Sequence, residues 1–190
     1  MTFQSTQNPT DTLSFEQAIA YTEKLLNHTE LTDADLQAEI TNLVATENGA
    51  RGFFVCYLTG DWQLADRPSE GIIRALQAVP EPGAELLVKN LAMSTAMAIA
   101  HRRMDNETQA QGSDRVAKRT AHLMTLLNLD EIDRLAKLMY ASAQAHEVQT
   151  GSGRDHGQVD DDKYSAFLKK WGYDREQKDA IQTAIAAIFR

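Results

Sequence analysis

Apolar side chains return every three to four positions along most of the chain, which is the period of a helix with one buried face. The pattern is clear from Phe15 to Leu26 and from Leu36 to Val44. No internal repeat and no heptad long enough for a coiled coil interrupts it. We therefore predict an all-α fold, a compact multi-helix bundle of about eight or nine helices around a central apolar helix.

Capping residues mark where these helices begin. Four pairs have the spacing of a capping box, in which two side chains satisfy free backbone amides at a helix start. They are Ser14 with Gln17, Thr32 with Asp35, Asn128 with Glu131, and Asp174 with Gln177. Pro68 suits the first turn of another helix. After the polar run 105–112, Ser113 is expected to begin a helix that reaches about Leu127.

Two segments carry less certain patterns. Residues 50–58 alternate like a strand, yet they also fit a helical face, and no second strand is available to pair with them. We therefore predict a helix there. A short helix is expected to start at Asp160 or Asp161 and to end at Gly172. Its inward residues would be Tyr164, Phe167, Leu168 and Trp171.

The segment from about Pro82 to Met104 is apolar around most of its circumference, which predicts a helix buried by several neighbours. Asn90, Ser94 and His101 form a polar stripe along one side of it. Buried polar groups need hydrogen-bond partners, so the stripe indicates a network between helices. The alternative interpretation is a ligand pocket whose floor is this stripe.

A cationic cluster, His101-Arg102-Arg103, closes that helix. Arginine matches phosphate and carboxylate groups geometrically, so an anionic ligand is one interpretation. The favoured one is a set of cations that complement the helix dipole and pair with nearby acids. Arg51 would join a binding site there only if the fold brought it close.

Charge and composition restrict the possible partners and the compartment. Asp and Glu outnumber Lys and Arg by 27 to 19, for a net charge of −8, which disfavours nucleic acid and anionic membranes as partners. Cys56 is the single cysteine, and the opening residues lack the segments of a secretory signal, so we expect a cytoplasmic protein. We predict a flexible N-terminal tail over residues 1–12 and a single helical domain over 13–190.

No local motif points to catalysis, a metal or a cofactor, and we predict no metal and no cofactor. The same pattern favours a protein without catalytic activity, but an enzyme stays open, because catalytic groups can converge only in the fold. No two of the five histidines lie within four positions of each other, the spacing of a helical metal site. Acidic residues around Gly157 lack the ordered spacing of a calcium loop, so we interpret them as solvated: Asp155, Asp160, Asp161 and Asp162. Cys56 lies among apolar residues, as inert packing cysteines do.

Four segments resemble an uncharacterised all-helical family of cyanobacterial proteins. They are residues 47–54 (ENGARGFF), 87–93 (LVKNLAM), 101–103 (HRR), and 171–173 (WGY) followed by 176–178 (EQK). The resemblance covers about residues 14–190, and the Gly-rich loop 150–158 looks like an insertion relative to the family. It implies no assigned activity and transfers no functional residue.

Two functions of different classes remain open. The leading hypothesis is a non-catalytic interaction or regulatory protein that binds a protein partner or a second copy of itself. The alternative is a helical small-ligand-binding protein or enzyme with a pocket near the central helix, suited to a hydrophobic anionic ligand such as a tetrapyrrole or isoprenoid. Its candidate binding residues are Asn90, Ser94, His101, Arg102, Arg103 and Arg51.

Overall fold

The computed structural model describes residues 13–28, 30–144 and 163–189, and within these ranges it contains ten helices and no strand. The predicted all-α class is therefore confirmed. The proposed tail over residues 1–12 and the Gly-rich loop 150–158 with its acidic residues lie outside the described ranges.

The helices follow one another with short connections. In chain order they are α1 (Phe15–Asn27), α2 (Asp33–Val44), α3 (Glu47–Thr59), α4 (Gln63–Asp66), α5 (Glu70–Ala78), α6 (Pro80–Arg103), α7 (Glu107–Leu127), α8 (Asp130–Gln144), α9 (Ser165–Lys170) and α10 (Arg175–Ala186). The ambiguous segment 50–58 lies wholly inside α3, which confirms the helical interpretation.

By its internal contacts the chain divides into two units, Met1–Leu86 and Leu87–Arg190. In the first unit α1 packs on α3, and α2 packs on α3 and α5. Its core contains large side chains with almost no exposure: Ile40, Leu43, Phe53, Phe54, Tyr57 and Ile72. The single domain predicted over residues 13–190 stays a prediction, since a division by contacts does not measure independent folding.

The second unit contains most of α6 and the four helices that follow it. α8 packs on α10 and on α9. The side-chain amide of Gln177 on α10 donates to the carbonyl oxygen of Ala96 on α6 at 3.0 Å. The buried apolar side chains of this unit include Leu123, Met124, Leu135, Met139, Ile181 and Ile185.

Helix α6 is the longest of the described helices and is buried on several sides, as its sequence predicts. Its buried residues are Ala84, Leu87, Val88, Leu91, Ala92, Ser94, Ala96 and Ala98. Glu81 has a non-helical backbone (φ −105°, ψ 135°), because the proline that follows it disfavours the helical region. Regular helix therefore begins at Pro82.

Three of the four predicted capping boxes are confirmed, at Ser14, Thr32 and Asp174. The fourth is wrong, because Asn128 has a left-handed backbone (φ 46°) and ends α7, while α8 begins at Asp130. Asparagine tolerates this conformation better than most residues, which suits it to a helix C-terminus.

Three other predictions are also wrong. α7 begins at Glu107 with Asn106 as its cap, so Ser113 is inside the helix; in the run 107–112 Ala110 is buried while residues 107–109 and 111 are exposed, so the run continues the helix. Pro68 precedes the N-cap Ser69 and lies outside α5. Trp171 was expected to point inward, yet it is 47% exposed, because α9 already ends at Lys170.

Candidate functional site

In the predicted polar stripe on α6, Ser94 forms its hydrogen bond within the helix itself. Ser94 is buried, and its hydroxyl donates to the backbone carbonyl of Asn90 at 2.5 Å. This bond satisfies the hydroxyl without a second helix, as serine often does inside a helix. Asn90 is half-buried. Ser94 thus has a hydrogen-bond partner within α6, whereas the network predicted for the stripe joined different helices.

Two polar atoms of α6 have no hydrogen-bond partner in the described part of the chain. They are Nδ1 of His101 and Oγ1 of Thr95, and both are shielded from solvent. An unpaired buried polar atom costs about 1–3 kcal/mol. His101 is therefore the residue of the predicted stripe that has a buried polar atom without a hydrogen-bond partner in the described residues.

Each arginine of the cationic cluster is engaged by two carboxylates. Arg102 pairs with Asp114 and, at 3.3 Å, with Glu107. Arg103 pairs with Asp174 at 2.5 Å and with Glu176. Hydrogen bonds that the two arginines donate to these acids raise the pKa of both guanidinium groups, and the bond from Arg103 lowers the pKa of Asp174. An anionic ligand at either arginine would compete with two carboxylates already in place.

Arg51 belongs to the first unit and has a different contact. It is exposed on α3, and its guanidinium carbon lies 5.3 Å from the centroid of the Phe15 ring on α1. This is a cation–π contact between two packed helices. The other five predicted binding residues all lie on α6.

The described ranges contain no clustered metal ligands, and the thiol of Cys56 is not activated. No group of three or more His, Cys, Asp or Glu side chains in them is placed to hold a metal ion. Cys56 is buried, and burial is the main cause that raises the pKa of its thiol, with Glu23 contributing. A thiol of raised pKa is a poor nucleophile at neutral pH.

None of the described helices is both long and apolar enough to cross a membrane.

Large apolar side chains are exposed near the ends of α6 and α9, which the sequence pattern did not predict. Met104 is 63% exposed and Trp171 is 47% exposed. Both lie close in sequence to the Arg103–Asp174 ion pair, which joins the end of α6 to the start of α10. Lys169 and Lys170 are exposed beside Trp171, and neither has an ion pair within the described residues. We call Met104, Lys169, Lys170 and Trp171 the Trp171 surface.

Buried aromatic rings lie next to this surface in the chain. Tyr173 is buried two residues beyond Trp171, and its ring meets that of Phe167 edge to face, with centroids 6.4 Å apart. Its hydroxyl has no hydrogen-bond partner in the described residues, and burial raises its pKa to about 12. No signal in the sequence separates Trp171 from Tyr164 and Leu168, which lie at helical spacing from it and are buried.

A second feature lies on the exposed side of α2. A groove of about 370 Å³ is lined by residues that recur at helical spacing, namely Ala34, Gln37, Ala38, Thr41 and Asn42. All five are uncharged, and two are alanine. We call this feature the α2 groove.

Charge is divided unequally between the two units. Met1–Leu86 contains 13 Asp and Glu against four Lys and Arg, whereas Leu87–Arg190 contains 14 against 15. The acidic excess of the protein therefore belongs to the first unit. The second unit is close to neutral, and its exposed Lys169 and Lys170 belong to a locally basic stretch.

A model of a known protein family matches most of the chain. The family described as "Uncharacterised conserved protein UCP020893" matches residues 14–188. The chain belongs to this family. The match confirms the resemblance to an uncharacterised family, and it covers both units. No curated protein and no solved structure matches the chain. The family description assigns no activity, so function has to be argued from the surfaces described above.

Proposed function

We propose that this chain is a non-catalytic interaction protein of the cytoplasm that binds a protein partner of acidic surface through the Trp171 surface. The exposure of Trp171 and Met104 at one helix junction carries the proposal. Tryptophan and methionine are enriched at the centres of protein interfaces, and tryptophan is prominent among the residues that dominate binding energy. Lys169 and Lys170 would form the polar rim and favour an acidic partner.

The junction also suits binding because it is held in place before any partner arrives. Arg103 joins α6 to Asp174 and Glu176 at the start of α10, and Gln177 bonds to Ala96. The backbone that presents Trp171 is thus fixed by contacts on its C-terminal side. Less conformational entropy is lost on binding when the presenting surface is already ordered.

The charge and cysteine content support the choice of partner and compartment. A net charge of −8 works against binding to phosphate backbones and anionic membranes, so we propose a protein partner. The single cysteine can form no disulfide within the chain, which fits the reducing cytoplasm.

Affinity capture with matched variants tests this proposal. The wild-type chain, Trp171→Ala and Val55→Ala would each be immobilised and exposed to a cyanobacterial extract, the source that the resemblance implies. Val55 is a suitable control because it is an exposed apolar side chain (42%) on α3. We expect wild type and Val55→Ala to retain the same protein and Trp171→Ala to lose it, where that protein is not another copy of this chain. Equal retention of such a protein by all three would contradict the proposal.

The alternative function, a binder of small hydrophobic anions near α6, has one supporting observation. The unpaired Nδ1 of His101 and Oγ1 of Thr95 are polar atoms that a ligand would satisfy. Against it, Arg102 and Arg103 are already paired with four carboxylates. Native mass spectrometry of protein isolated from its natural cells would decide, because a bound ligand adds a discrete mass that denaturation removes.

A further inference from the structure

We propose that the acidic partner of the Trp171 surface is the α2 groove of a second copy of this chain, so that copies associate head to tail. This inference rests on the proposed function and names its partner. It joins two surface features on different parts of the chain, the Trp171 surface and the α2 groove. Their sizes and charges complement each other.

The α2 groove is a shallow, open depression of about 370 Å³, across which one large side chain can lie. Ala34 and Ala38 leave room for a ring, and an indole would cover their methyl groups. The side-chain oxygens of Gln37 and Asn42 can accept a hydrogen bond from the indole N–H. Trp171 carries that donor at an exposed position.

The charge around the groove is opposite to that around Trp171. Helix α2 contains Asp33, Asp35 and Glu39 and no Lys or Arg. Asp33 and Asp35 are exposed and directly flank Ala34, a lining residue of the groove. On the other surface, Lys169 and Lys170 directly precede Trp171. Docking the indole would bring these lysines towards the aspartates, which attract them most strongly at low salt.

The same charges disfavour the pairing of either surface with its own copy. Two Trp171 surfaces would oppose lysines to lysines, and two α2 grooves would oppose aspartates to aspartates. A contact between unlike surfaces avoids both repulsions. A single such contact leaves one free surface at each end, so association extends to chains or closes into a ring. The smallest ring is a two-fold dimer in which each copy's Trp171 enters the other's groove.

Sedimentation equilibrium with single-surface variants tests the inference. Trp171→Ala removes the ring, and Ala38→Arg fills the groove with a cation while keeping a good helix former. We expect the average mass of wild type to rise with protein concentration and to fall towards the monomer at high salt. Each variant alone should stay monomeric. Ala20→Arg is the control, because Ala20 is an exposed alanine of α1, and it should associate like wild type.

Mixing the two variants gives the decisive result. Trp171→Ala retains an intact groove, and Ala38→Arg retains an intact Trp171 surface, so an equal mixture should form dimers and nothing larger. If Ala38→Arg alone associated, or the mixture stayed monomeric while wild type associated, the head-to-tail contact would be wrong. Circular dichroism checks the fold of each variant. Lys169→Glu combined with Lys170→Glu is a second way to disable the Trp171 surface.

Self-association and binding of another protein are tested by different experiments, so the two proposals can fail separately. A wild type that stays monomeric at every concentration overturns the head-to-tail inference. The proposed function would still hold if wild type captured another protein that Trp171→Ala lost. If wild type stayed monomeric and also captured no protein that Trp171→Ala lost, the Trp171 surface would not be an interaction surface.

Discussion

Individual glycines decide how closely the helices of the first unit approach one another. Gly52 of α3 lies against α1, and a Cβ built on it would be 2.5 Å from the Cβ of Ala18 and 2.9 Å from the backbone nitrogen of Ile19. Real Cβ atoms do not come so close, so any larger residue at position 52 must push the two helices apart. This contact explains why a helix accepts glycine here despite its low helix propensity.

Replacing Gly52 with alanine should therefore destabilise the protein. The gain in helix propensity, roughly 1 kcal/mol, is opposed by overpacking against backbone, which costs about 1–3 kcal/mol. We expect a net loss of about 1 kcal/mol, read from the urea midpoint. Gly112→Ala is the matched control, because Gly112 is also helical and nothing lies within 4 Å of its Cβ position. It should gain about 0.5–1 kcal/mol. Stabilisation by both substitutions would refute the close contact.

At the scale of elements, α7 shows which local signal sets a helix boundary. The side chain of Asn106 accepts a hydrogen bond from the backbone amide of Gln109 at 3.2 Å, and α7 begins directly after it. Ser113, the cap expected from the sequence, is an interior residue of the same helix. The preceding reversal uses Asp105 with a positive φ of 55°, which the apolar pattern does not reveal.

Two alanine substitutions distinguish these starting points for α7. Asn106→Ala removes the cap and should lower the free energy of unfolding by about 1 kcal/mol. Ser113→Ala replaces an interior helical residue with a better helix former, so stability should stay the same or rise by a few tenths of a kcal/mol. Chemical denaturation of both variants gives the comparison. The reverse order of effects would place the helix start at Ser113.

Over the whole molecule, the features that the sequence predicted are those set by neighbouring residues. The helical period and the capping boxes at Ser14, Thr32 and Asp174 act within a few positions, so the all-α class could be predicted without coordinates. The Arg103–Asp174 ion pair joins residues 71 positions apart, and no local pattern could pair them. The exposure of Trp171 and the α2 groove likewise depend on which faces the fold leaves uncovered. The candidate surfaces therefore became visible only in three dimensions.

Stability at alkaline pH should reflect two tyrosines, Tyr21 and Tyr173, whose pKa the fold raises from the ordinary value of 10.0 to about 12. Burial is the main cause for both, and for Tyr21 a hydrogen bond to Glu39 adds to it. A group whose pKa is higher in the folded state stabilises that state fully below its unfolded pKa. This contribution is lost as the pH rises from about 10 through about 12.

Tyr173→Phe isolates one of these contributions. The variant has no hydroxyl to ionise, so its free energy of unfolding should fall less steeply than that of wild type between pH 10 and about 12. Near neutral pH the variant should be at least as stable as wild type, because the lost hydroxyl is buried and has no hydrogen-bond partner in the described residues. Denaturant titrations across this pH range, read by circular dichroism, give both quantities. If the two curves ran parallel up to pH 12, the Tyr173 hydroxyl would have to be open to water, and the burial of Tyr173 beside Phe167 would need revision.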